Sequence, residues 1–237
     1  PGSSGILIFD RNLYDSHFSP DQPGGGTVKW TNPWGEHSFY EDVELREDGG
    51  TPPFLQTIKA ALAVKLKEQI GADVIAAREK EITKKVFSRL KNISGLHILA
   101  SNIEDRLPVI SFYIDGLHYN LGVRLLNDRF GIQVRGGCSC AGTYGHYLLH
   151  VSKQLSHRIT EMIEHHDLSE KPGWIRMSLH PVMTDEEIEY IIEAVKEVSA
   201  NFKSWALDYV YDPHENNFCH ISKPTYEAEV VDEWFEL

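Results

Sequence analysis

Cysteine is scarce in this chain. Three occur in 237 residues, Cys138, Cys140 and Cys219, too few for the disulfide framework that staples small secreted domains. Long apolar runs are missing too: none reaches the about 18 residues that a membrane-spanning helix needs, and the start lacks a basic stretch leading into an apolar one and a cleavage site. A soluble, cytoplasmic protein is therefore expected. Positive charge is the poorer sign, with 23 Lys and Arg against 35 Asp and Glu and a net charge of -12. Such a chain has little to offset phosphate repulsion, which argues against a general binder of nucleic acid or anionic membrane. Small molecules and proteins are the expected partners. There is also no initiating methionine, and the opening Pro1-Gly2-Ser3-Ser4-Gly5-Ile6-Leu7-Ile8-Phe9 reads as a chain entered midway.

What is present is globular in composition, 41% hydrophobic and 11% aromatic, and long enough for one large or two modest domains. The β-prone run Ile6 to Phe9 predicts a first strand. Asp21 to Thr27 is a glycine-rich turn, and Trp30 to Tyr40 reads as an aromatic loop. Thr51 as N-cap and Pro52 at the first helical position predict a helix carrying Leu55, Ile58, Leu62 and Leu66 on one face and ending at Gly71. A second helix is expected from Asp73, with Ile75, Ile82, Val86 and Leu90 facing inward. The period then changes, predicting strands at Leu96 to Ala100 and Leu107 to Asp115, a helix over Tyr119 to Phe130 closed by Gly131, and a strand at Gly131 to Arg135. His146 to His166 reads as one helix with solvated histidines. Gly173 to Leu179 alternates as a strand with Trp174, Arg176 and Ser178 on one face. Thr184-Asp185-Glu186-Glu187 is a capping box opening a helix to about Phe202. The end, Trp205 to Leu237, with an acidic finish over Glu227 to Glu236, fits either a packed extension or a mobile tail, and Cys219 within it reads as an inert thiol. The alternation as a whole is α/β.

The chemically unusual stretch is Gly131 to His146, in which an apolar run delivers Arg135 into a glycine-rich loop holding Cys138 and Cys140. Glycine lets backbone move and approach a ligand closely, and a thiol near positive charge is favoured as the nucleophilic thiolate. Other readings of the residues stay open. A Cys-x-Cys pair with His146 and His150 nearby is a poor match to structural zinc spacing. A disulfide between cysteines two apart is strained, and two ordinary packed thiols also fit.

Five ordered stretches together resemble the C-terminal part of class V aminotransferase-type enzymes, which depend on pyridoxal phosphate, and in particular their cysteine desulfurase and selenocysteine lyase branch. They are Pro1 to Leu7, Gly24-Gly25-Gly26-Thr27, Arg46-Glu47-Asp48-Gly49-Gly50-Thr51-Pro52, Gly131 to Ala141, and Trp174-Ile175-Arg176-Met177-Ser178. The resemblance implies a fold type I α/β architecture: the incomplete end of a cofactor-binding large domain over residues 1–60, a small α/β domain over 61–203, and an unmatched extension over 204–237. It implies pyridoxal 5'-phosphate as cofactor, a small amino acid as substrate, a homodimer, and a sulfur-acceptor protein as a further partner. By the same resemblance Cys140 takes the place of the persulfide-forming cysteine, and Arg176 that of the arginine gripping the substrate carboxylate. Thr51 corresponds to the residue that reaches the cofactor phosphate of the neighbouring subunit, and Arg135 lines the same pocket. The family's cofactor lysine would lie upstream of Pro1, so the polypeptide by itself is expected to be inactive.

Cys138 departs from the branch's pattern, and the Cys-x-Cys form is also similar to molybdenum-cofactor sulfurase-like relatives. Rival readings are another class V aminotransferase or β-lyase in which Cys140 is incidental, and an interaction domain that kept the fold without the cofactor chemistry.

Overall fold

The computed structural model describes residues 2–222 and 226–236. Pro1 of the first matched stretch and the end of the tail at Leu237 lie outside them. The chain divides into two compact units, Pro1–Ala72 and Asp73–Leu237.

In the first unit, strands β1 (Val28–Thr31) and β2 (His37–Phe39) pair antiparallel, where the sequence suggests only an aromatic loop. The turn between them is held by Asn32, whose side-chain oxygen accepts from the amides of Trp34 at 3.1 Å and Glu36 at 3.0 Å. Helix α1 (Val43–Glu47) is capped by Asp42. Its Arg46 is buried, donating to the carbonyls of Ser16 at 3.0 Å and Tyr40 at 3.2 Å and stacking over Phe39. The expected strand at Ile6 to Phe9 is absent: these residues form no ladder, and Leu7 and Ile8 are 84% and 90% exposed. β-propensity describes fit to a neighbouring strand rather than an intrinsic backbone state, and among the described residues this run has no strand to pair with. Helix α2 (Phe54–Ile70) begins three residues after Thr51, with Pro53 at the N-cap and no side-chain cap. Thr51 is therefore not the capping residue, because the two prolines delay helical geometry until Phe54. Gly71 does end the helix, and the apolar face Leu55, Ile58, Leu62 and Leu66 is exposed.

The second unit is built on a four-stranded antiparallel sheet. Helix α3 (Ala72–Leu90) leads into β3 (Leu96–Ile98) and β4 (Val109–Ile114), and α4 (Tyr119–Phe130) leads into β5 (Arg135–Gly137). Helices α5 (Gly142–Leu148) and α6 (Lys153–Glu164) precede β6 (Trp174–Ser178), and α7 (Asp185–Trp205) follows it. The strand order is β3-β4-β6-β5, which leaves β5 at an edge. One face carries Ile110, Phe112, Ile114, Ile175 and Met177 into a core completed by Val86 and Phe87 of α3, Leu125 and Leu126 of α4, and Ile188, Ile192 and Val195 of α7. Arg78 and Arg89 on α3 tie it to α7 through Asp185, Glu189 and Glu193.

Local signals explain most boundaries. Gly131 closes α4 in the left-handed conformation (φ 67°), which glycine adopts without a Cβ penalty. The α7 capping box is complete: the Glu187 amide donates to the Thr184 hydroxyl oxygen at 3.2 Å, and the Thr184 amide to the Glu187 carboxylate at 2.8 Å. Two expectations shift. β5 starts at Arg135, not Gly131, since its ladder with β6 exists only over residues 135–137. The single helix expected from His146 to His166 is broken between α5 and α6, with His150 at φ 51° and Ser152 capping the second piece. The chain's end forms a hairpin of β7 (Tyr209–Asp212) and β8 (Asn217–His220), then helix α8 (Tyr226–Phe235). Cys219 is exposed on β8. No helix among the described residues is long and apolar enough to cross a membrane.

Candidate active site

Pairing of β5 with β6 sets Arg135 directly opposite Arg176. Directly opposed residues of antiparallel strands project from the same face, so two guanidinium-bearing residues share the side of the sheet away from the core. Neither has a carboxylate partner among the described residues. Like charges placed opposite one another disfavour the pairing unless an anion comes between them. Arg176 is half-buried, and its Nε is buried without a hydrogen-bond partner. A buried donor left unmade costs free energy that a bound anion would recover.

Beyond β5 the chain turns tightly. The Ala141 amide donates to the Cys138 carbonyl at 2.9 Å, and both residues between, Ser139 (φ 52°) and Cys140 (φ 62°), are left-handed. Non-glycine residues pay for that conformation, which the surrounding structure must therefore hold in place. The result is an exposed Cys140 whose Sγ lies 3.4 Å from Arg135 Nη2. Cys138 is half-buried. Around the turn, Ser139 Oγ and Trp174 Nε1 are also buried and unpartnered, so three polar atoms without hydrogen bonds surround one corner of the sheet. Trp174 is buried rather than open beside Arg176, because Gly145 of α5 packs on its ring: a Cβ there would meet Trp174 Cζ3 at 3.2 Å.

His146 is not simply solvated. Its Nδ1 donates to the Gly142 carbonyl at 2.8 Å, and its Nε2 shares a 2.8 Å hydrogen bond with the Ser156 hydroxyl, which joins α5 to α6. No three His, Cys, Asp or Glu side chains among the described residues gather as a metal site.

The structure thus brings Arg135, Cys140 and Arg176 together in the second unit. Thr51 belongs to the first unit. There it stands exposed after a glycine turn in which the Gly50 amide donates to the Gly25 carbonyl at 2.7 Å, and it has no hydrogen-bond partner among the described residues. Residues that sequence reasoning passed over are His118 and Tyr119 at the start of α4 and Asn216 between β7 and β8. The Asn216 side-chain nitrogen donates to Tyr119 Oη at 2.7 Å. Two adjacent aromatic rings at the cap and first position of α4 were the available signal.

The sequence and the fold are similar to those of known proteins. The class-V aminotransferase family model matches residues 2–191. A probable cysteine desulfurase of Halobacterium salinarum is 27% identical over 202 residues, 85% of this chain and 43% of that protein. The apo structure of a cysteine desulfurase from Thermococcus onnurineus superposes with a TM-score of 0.60 at 25% identity, covering 77% of this chain and 40% of that one. A structure of C-DES with glycine covalently linked to its PLP cofactor matches in fold, with a TM-score of 0.50 at 17% identity over 75% of this chain and 38% of that one. The chain spans less than half the length of these relatives. The ordered glycine, arginine and cysteine motifs, the α/β architecture carrying them and the matched span lead to one conclusion: the chain belongs to the class-V aminotransferase family and carries part of its fold type I architecture.

Proposed function

We propose that this chain forms the substrate-gripping and sulfur-accepting part of a cysteine desulfurase that works as a homodimer in the cytoplasm and passes sulfur to an acceptor protein. The observation that carries the reading is the exposed Cys140 thiol held 3.4 Å from a guanidinium nitrogen of Arg135, with Arg176 opposite that arginine. The names of the relatives support the choice of cysteine as substrate.

The residues present fit pyridoxal phosphate in part. The free hydroxyl of Thr51 suits a phosphate oxygen, and the orphaned Nε of Arg176 suits the carboxylate of an amino acid held beside the cofactor. No lysine of the chain stands in the family's cofactor-lysine context, and by the resemblance Thr51 serves the cofactor of the neighbouring subunit rather than the one beside Arg176. Bound there, the cofactor would supply an electron sink that labilises bonds next to the substrate's α-carbon.

Arg176 and Arg135 then act as the anion grip, since a guanidinium matches a carboxylate with two parallel hydrogen bonds. Arg135 also donates to the Cys140 sulfur at 3.4 Å, which orients the thiol toward the grip. The Cys140 thiolate forms an S–S bond to the substrate sulfur as the substrate's Cβ–S bond breaks. That bond's electron pair stays with the carbon fragment, which takes up protons to leave as alanine, and the enzyme keeps the sulfur as a persulfide. The test is mass spectrometry of the full-length, cofactor-loaded protein after incubation with cysteine, with a sulfur adduct expected on Cys140. No adduct on any thiol, with transamination intact, would favour the aminotransferase reading.

A further inference from the structure

Strand β5 is a weak support for the residues it carries. It is three residues long, two of them glycine, and it pairs on one side only, with β6. Glycine carries no side chain to anchor it and has the most backbone freedom to lose. Yet Arg135 begins this strand and Cys138 follows it. Their placement must come from something packed on the glycines.

That buttress is the ring of Tyr119. On β5 a Cβ on Gly136 would meet Asn120 Oδ1 at 2.7 Å, Val123 Cγ2 at 3.0 Å and Tyr119 Cδ2 at 3.1 Å, and just before β6 one on Gly173 would meet Tyr119 Cε1 at 2.5 Å and Cδ1 at 2.7 Å, so the Tyr119 ring, with its neighbours on α4, fills the space where side chains would be. Tyr119 is in turn held by the hairpin that lies beyond the family-matched span. Asn216, left-handed at φ 51°, donates to Tyr119 Oη at 2.7 Å, takes a hydrogen bond on its backbone carbonyl from the Asn120 side chain, and accepts from the Tyr211 hydroxyl at 3.0 Å. Beside it the His118 ring stacks on Tyr119 with centroids 4.5 Å apart, and Tyr211 and Phe218 of the hairpin close over it at 5.2 and 5.3 Å. Burial holds the Tyr119 phenol above its ordinary range, against the lowering effect of the Asn216 hydrogen bond and with a smaller push upward from Cys138.

We propose that Tyr119 is a positioning residue for the cysteine loop and that Asn216 holds it in place, which makes the β7–β8 hairpin part of the working site. The proposal rests on the desulfurase reading for its catalytic consequence, and on packing alone for its effect on the thiols. β6, which carries Arg176, is paired on both sides, by β4 and by β5, whereas β5 is paired only with β6. Loosening the clamp therefore disturbs β5 and the presentation of Cys140 more than it disturbs Arg176.

The test compares Tyr119→Phe, which keeps the ring, Asn216→Gly, which tolerates the left-handed backbone, and the double variant, all in the full-length, cofactor-loaded protein. Each single change is expected to lower kcat for sulfur transfer by about two- to tenfold, the worth of one hydrogen bond, with KM for cysteine rising by a smaller factor because Arg176 stays in place. Alkylation of the half-buried Cys138 by iodoacetamide, located by mass spectrometry, is expected to quicken in both. The double variant should be no worse than either single, because both remove the same link. Wild-type kcat and wild-type Cys138 protection in Tyr119→Phe would overturn the proposal, and so would additive losses in the double variant. A fall in thermal midpoint with KM rising by as much as kcat falls would mark a merely structural role and overturn it too. If the wild-type protein makes no persulfide, the desulfurase reading fails, and Cys138 alkylation still decides the clamp by itself.

Discussion

Arg135 and Arg176 face each other directly across the β5–β6 ladder, on the side of the sheet away from the core. Two uncompensated guanidinium groups in register make sense as an anion site. On the proposed desulfurase reading, Arg176→Ala would remove a charge-assisted, bidentate contact worth about 1.5 to 3 kcal/mol, so KM for the amino acid should rise about tenfold to a hundredfold. Steady-state kinetics of the full-length protein checks this, and an unchanged KM would assign Arg176 to structure.

The two thiols of the loop should separate cleanly. Cys140 is exposed and touches Arg135, whereas Cys138 is half-buried beside α5. Cys140→Ser is expected to abolish persulfide formation, and Cys138→Ser to retain most of it. A sulfur adduct found on Cys138 alone would reverse the roles.

Close approach of backbone at Gly173 makes a sharp stability test. A Cβ there would sit 2.5 Å from the Tyr119 ring and 2.8 Å from the Gly137 Cα, and the second of these is backbone that cannot swing aside. Gly173→Ala should cost about 1 to 3 kcal/mol as overpacking. Urea unfolding should show it as a lower midpoint at constant m-value, and a wild-type midpoint would mean the strands move apart freely.

His118 should make the second unit acid-sensitive. Its Nδ1 accepts from the Asn120 amide at 3.2 Å as the cap of α4, and burial lowers its pKa below the ordinary value of 6.5. The unfolded chain therefore binds this proton more readily than the folded one. The stability is fully present above pH 6.5 and is lost as pH falls from there through the lowered folded value. His118→Asn keeps a capping acceptor that does not titrate. Its stability should vary less with pH over that window, as read by denaturant unfolding at a series of pH values. An unchanged slope would exclude His118 as the source.

Much of this protein is legible in its sequence because the signals are local. The Thr184 capping box, the Gly131 stop and the helical spacing of Ile82, Val86 and Leu90 each act within a turn or two of chain, and α3, α4 and α7 follow from them. The cysteine loop and Arg135, Cys140 and Arg176 stand out by residue type and order alone. Tertiary structure decided what depends on a partner. Ile6 to Phe9 has the composition of a strand and forms none among the described residues, since a ladder needs a second strand. The facing of Arg135 and Arg176 comes from a register between segments about 40 residues apart in sequence, and a shift of one residue would send one of them to the opposite face. The clasp of Asn216 on Tyr119 joins positions nearly a hundred residues apart, at a distance where only the folded sheet and its covering helices bring them within reach.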